Sequence, residues 1–151
     1  MIRRKCTLTI LFFGLSLTCS QLPAFQALEI PRPMLRGVAK TVVRGGTPII
    51  YYNPIALKRM GPEVGQFVRA HEYAHLRLGH FRRNMSYSAR EAEADLYAAM
   101  TAPPRSVQAA RNWFLQGRGG GLAHGSPRMR ASRLSRGLSF QSPYRIVRRI
   151  R

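Results

Sequence analysis

Between Pro62 and Gly79 the apolar positions fall three and four apart: Val64, Phe67 and Val68, then His71, His75 and Leu78. That spacing draws one stripe down an α-helix, and Pro62 and Gly79 are residues that open and close one. A helix with such a stripe must be covered by the rest of the chain, and buried polar side chains need partners. Here two of the stripe positions are imidazoles. The segment reads His71-Glu72-Tyr73-Ala74-His75, an HExxH pattern. Residues i and i+4 share one helical face, so both imidazoles can bind one zinc ion. Glu72 lies about 100° further round, where its carboxylate can reach a water activated by the metal and act as general base.

A zinc site needs a third protein ligand, and the sequence offers two candidates. His80 follows His75 by five residues. On a continued helix it would lie about 180° from His71 and 140° from His75, so it cannot join them; a helix-end cap or a supporting contact suits it better. Glu91, in Arg90-Glu91-Ala92-Glu93-Ala94-Asp95, is far enough on for a turn and an antiparallel return by the next helix. Glu91 and Asp95 are again i and i+4. One can bind the metal while the other accepts a hydrogen bond from a ligand histidine, fixing its tautomer. Glu93 points elsewhere, as a solvated charge or a partner for an arginine. A competing reading makes Ser88-x-x-Glu91 a capping box.

Composition sharpens this reading. The chain has 151 residues, with 25 Lys+Arg against six Asp+Glu and a net charge of +19. In so acid-poor a chain, the fall of Glu72, Glu91, Glu93 and Asp95 in one short region is an improbable coincidence unless it serves a site. The excess of arginine excludes an acidic surface and implies a polyanionic neighbour.

Arg36 to Arg44 and Thr47 to Tyr52 read as strands joined at Gly45-Gly46, a two-residue hairpin signal. Asn53-Pro54 opens a short helix to Met60, Pro62 a longer one to about Gly79, and Ser86 or Ser88 a third to Met100. Ser106 to Gln116 makes a fourth, and Ser126-Pro127 starts another that Gly137 stops. Strands followed by helices give an α+β architecture, a small N-terminal hairpin packed on a helical core that carries HExxH.

Arg3, Arg4 and Lys5 followed by a short apolar run form a signal-peptide pattern over residues 1–24, with the end anywhere from 20 to 27. The expected domain is 25–138 and a basic tail 139–151. The protein is then exported, periplasmic or secreted, with a lipoprotein or signal anchor disfavoured. Cys6 and Cys19 both fall inside the leader, so the mature chain has no disulfide and a metal could supplement its modest core. In the tail, Ile146, Val147 and Ile150 interleave with arginines, a pattern fit for an anionic envelope surface. Nucleic acid is disfavoured, since an exported protein meets little of it.

HExxH followed by ExxxD resembles the arrangement of gluzincin zinc peptidases, and the wider context is similar to the HtpX-type and CAAX-prenyl-protease-like family. The matching residues are Ile49 to Pro54, Phe67-Val68-x-Ala70, Gly79-His80, Glu91-x-Glu93-Ala94-Asp95, and His124-Gly125-Ser126-Pro127 with Arg130. The last stands for a His-Pro segment followed by arginine, with Gly125 where proline is usual. The likeness implies a zincin-like fold and a zinc-dependent endopeptidase acting on peptides or unfolded protein. It implies Zn2+ on His71, His75 and Glu91, with Glu72 as general base and Asp95 supporting a ligand. His124 is the first candidate for stabilising the oxyanion, with Tyr97 and Arg130 behind it, and Thr47 to Tyr52 is expected to be the sheet edge that pairs with substrate. The rival reading is a non-catalytic zincin-fold protein whose basic surface binds an envelope polyanion or a partner protein; retention of Glu72 favours the enzyme.

Overall fold

The computed structural model describes residues 26–121 and 124–141. The expected leader and the tail arginines from Arg145 onward lie outside the described residues, and no described helix is long and apolar enough to cross a membrane. Three strands, β1 (Leu28–Pro31), β2 (Ala39–Arg44) and β3 (Thr47–Tyr52), form one sheet in the order β1-β3-β2. Five helices follow: α1 (Pro54–Met60), α2 (Pro62–Arg77), α3 (Tyr87–Thr101), α4 (Pro104–Leu115) and α5 (Pro127–Gln141). The architecture is α+β.

Gly45 and Gly46 both have positive φ, 55° and 78°. Two consecutive left-handed residues match the twist of the flanking strands, which is why this hairpin closes in two residues. β2 pairs antiparallel with β3. β1, which the proline-rich sequence around it conceals, pairs parallel with the other side of β3. This corrects one expectation: Thr47–Tyr52 is the central strand, and the edge near the helices is β2. Ladder parity identifies the groups on that edge. Asn53 N–H donates to Val38 O at 2.8 Å, so alternate residues Val38, Lys40, Val42 and Arg44 bond β3. Ala39, Thr41 and Val43 therefore turn their backbone groups outward. Pro48, which has no N–H to give, sits opposite Val43, where none is needed.

The helical core is built on Phe67, Ala98, Ala99, Val107, Phe114 and Leu134. Phe67 and Phe114 meet edge-to-face, ring centroids 6.1 Å apart, a geometry worth about 0.5–1.5 kcal/mol beyond the area buried. Ala94, Ala98 and Ala99, with Ala102 just past the helix end, give α3 a shallow buried face against which α5 lies close. Gly137 was expected to stop α5, yet the helix runs on to Gln141. Its role is steric: a Cβ there would come 2.3 Å from Ala99 Cβ and 2.9 Å from the Ala99 carbonyl carbon. The contact selects glycine inside a helix despite its poor propensity.

Candidate metal centre

Helix α2 brings His71 and His75 to one face with their Nε2 atoms 3.1 Å apart. Helix α3 returns alongside. Ser86, not Ser88, caps it, accepting from Ala89 N–H at 3.3 Å, which frees Glu91 from the capping-box reading. Glu91 Oε2 lies 3.1 Å from His71 Nε2, and Glu91 Oε1 3.5 Å from His75 Nε2. Zinc with nitrogen and oxygen ligands at about 2.0–2.1 Å in a tetrahedron spaces its ligand atoms about 3.3 Å apart. Two imidazole nitrogens and a carboxylate oxygen at 3.1–3.5 Å fit that edge length, and the donor set is one zinc accepts. His124 Nδ1 also touches Glu91 Oε2, and His71, Glu91 and His124 form a cluster whose ligand atoms all lie within 4.8 Å. His124 thus stands beside the three-residue set, close enough to bind the same ion or to donate to a bound molecule.

The electrostatics divide the two histidines. Burial opposes protonation of His71, but the carboxylates of Asp95 and Glu91 override it and raise its pKa to about 9. Burial and the neighbouring His71 cation push His75 down to about 4. Glu91 is held well below the usual carboxylate range, its own burial outweighed by His124 and His71. Asp95 is held low in the same way, by His71 and Arg130.

Asp95 is fully buried and gathers four donors. His71 Nδ1 lies 3.0 Å from its Oδ1, close enough for charge pairing although the angle is not that of a hydrogen bond. Arg130 binds both oxygens, at 3.0 and 2.6 Å, and Arg133 donates to Oδ2 at 3.3 Å. Both arginines also hold the loop between α4 and α5: Arg130 donates to Gly119 O at 2.8 Å and Arg133 to His124 O at 3.0 Å. Arg130 further stacks over Phe114, 4.2 Å from the ring centre. The loop itself closes through Gly121 and Gly125, which exchange backbone hydrogen bonds of 3.2 and 2.9 Å. Gly125 has φ 86°, a value closed to proline, so this position of the loop could not carry one.

Glu72 is buried beside the histidines, and Thr41 Oγ1 on β2 donates to its Oε2 at 2.5 Å while lying 3.2 Å from its backbone carbonyl oxygen. That contact ties the sheet edge to the candidate base. A groove of about 650 Å3 runs along β2 and the segment from Leu35 that leads into it, past Glu72, His75, Tyr87, Glu91 and His124. A smaller pocket of about 230 Å3, walled by Val38, Met60, Val64, Val68 and Phe114, opens next to His71 and Glu72. Tyr97 lines neither cavity. Of the two readings of Glu93, a solvated charge or an arginine partner, the structure shows the second: Arg83 donates to it at 2.6 and 3.2 Å.

Sequence reasoning missed Thr41, Tyr87 and Arg133. Thr41 had no local signal, and Arg133 was one arginine among many. Tyr87 begins α3 one turn before Glu91 and so could have been read from the helix period. Burial, then the charges of Glu91 and Glu72, raise its pKa, so its hydroxyl stays a donor. Comparison with protein-family models, with curated proteins and with solved structures returns no match.

Proposed function

We propose that the protein is an exported, single-domain zinc metalloendopeptidase with a gluzincin-type site. The observation that carries this reading is the mutual approach of His71, His75 and Glu91 at zinc-ligand spacing, with Glu72 beside them at the floor of an open groove. His71 Nε2, His75 Nε2 and a Glu91 oxygen would hold the ion. When bound, zinc supplies a Lewis acid that polarises a carbonyl and makes water acidic.

The chain's own residues do the rest. A peptide in extended conformation pairs with the outward backbone groups of Ala39, Thr41 and Val43, the edge of β2 that no strand covers among the described residues. One apolar side chain of that peptide enters the pocket of Val38, Met60, Val64, Val68 and Phe114. Glu72, its carboxylate oriented by Thr41, accepts a proton from the attacking water and passes it to the leaving amine. Tyr87 at the start of α3 and His124 in the loop before α5, both lining the groove, supply hydrogen bonds where negative charge develops on the carbonyl oxygen. The arginine-rich exterior favours residence at an anionic envelope surface.

The test is metal analysis of the purified chain together with cleavage of unfolded protein by wild type and Glu72→Gln. Stoichiometric zinc in both, with turnover lowered about 10²- to 10⁴-fold in the variant, is the expected result. Zinc in both with no Glu72-dependent cleavage transfers the assignment to a non-catalytic zinc protein.

A further inference from the structure

Helix α2 does not continue past Arg77. Leu78 ends it, and Gly79 takes φ 63°. The Gly79 N–H then donates to Leu76 O at 3.1 Å and the His80 N–H to His75 O at 3.1 Å. This pair of bonds is a Schellman motif, which sets the residue after the left-handed glycine against the third residue from the helix end. Those two residues are His80 and His75. The reversal replaces the angular separation of a straight helix with contact: His75 Nδ1 and His80 Nδ1 are 2.8 Å apart. His80 is 1% exposed, and its Nε2 lies 3.3 Å from Glu93 Oε2. Arg83 clasps the same carboxylate through two bonds.

Proton placement along this chain is determined by its far end. A carboxylate only accepts, so His80 Nε2 carries the hydrogen. The neutral ring then has its lone pair on Nδ1 and can only accept there. His75 must therefore carry its hydrogen on Nδ1, which leaves the Nε2 lone pair directed at His71 and Glu91. We propose that His80, backed by Glu93, is a positioning residue that fixes His75 in the Nδ1–H tautomer and so prepares its Nε2 to bind the metal. The proposal rests on the zinc-site reading, but the tautomer itself is a property of the metal-free protein.

Two measurements test it on the full chain. In metal-free wild type, long-range nitrogen–proton NMR at neutral pH is expected to find His75 in the Nδ1–H form, and His80→Phe, which keeps the packing, to lose that preference. Chelator competition is expected to find zinc bound about 10- to 100-fold more weakly by His80→Phe. His80→Asn, whose amide oxygen can accept where Nδ1 accepts, should recover most of the affinity. Circular dichroism reports whether each variant is folded. A wild type with His75 in the Nε2–H form overturns the proposal, as does a folded His80→Phe with wild-type affinity. A wild type in the Nδ1–H form that binds no zinc upholds the hydrogen-bonded chain and overturns the metal site.

Discussion

Replacing Asp95 by asparagine changes no volume, so its effect isolates the charge and the acceptors at the junction of α3, α5 and the His124 loop. Oδ1 receives Arg130 Nη2 and faces His71 Nδ1, while Oδ2 receives Arg130 Nε and Arg133 Nη1. An amide presents one oxygen and one NH2, so whichever way it is turned, one pair of donors meets another donor. The side chains are 0% exposed for Asp95 and 9% and 10% for the arginines, so water cannot replace what is lost. Removing one partner from a buried ion pair costs about 3–5 kcal/mol. Against a typical total of about 5–15 kcal/mol, Asp95→Asn should remove a large part of the stability of the metal-free protein. Urea unfolding followed by circular dichroism should show the midpoint falling with the slope unchanged. A loss below about 1 kcal/mol, the range of exposed ion pairs, would refute the view that this carboxylate anchors the site.

Gly137→Ala tests the packing of α5 on α3. Alanine gains about 1 kcal/mol of helix propensity over glycine, but its Cβ would sit 2.3 Å from Ala99 Cβ, and overpacking typically costs about 1–3 kcal/mol. Net destabilisation by thermal melting is expected, and a stabilised variant would contradict the close approach. A pH dependence follows from His71, whose pKa is raised to about 9. Its proton favours the metal-free fold most fully below about pH 6.5, and the benefit is lost as pH rises through 9; the same proton competes with zinc. Apparent zinc affinity should therefore climb about tenfold per pH unit between about 7 and 8.5, and a flat titration would exclude a protonated His71.

The contrast between His75 and His80 shows what could be read from sequence. The placement of His71 and His75 on one face follows from the helical period alone, and the same holds for Glu91 and Asp95. Pro62, the pair Ser86 and Ser88, and Gly45-Gly46 marked where α2, α3 and the hairpin turn begin, because capping and left-handed turns are local backbone chemistry; the structure chose Ser86 of the two serines. His80 was out of reach of that rule, since one left-handed residue at Gly79 replaced helical geometry with a reversal.

Local spacing alone dictates the two pairs of inward side chains, because a separation of four residues fixes a face whatever surrounds it. Tertiary structure decided the rest. It made β3 the centre of the sheet and β2 its edge, since only the return of β1 to the far side of β3 settles which backbone groups stay unpaired. It set Thr41 against Glu72, and it chose Arg130 and Arg133 from a chain full of arginines to meet Asp95. These contacts join residues 31 to 38 positions apart, a distance at which no local periodicity operates and only the packing of the helices and sheet brings the partners together.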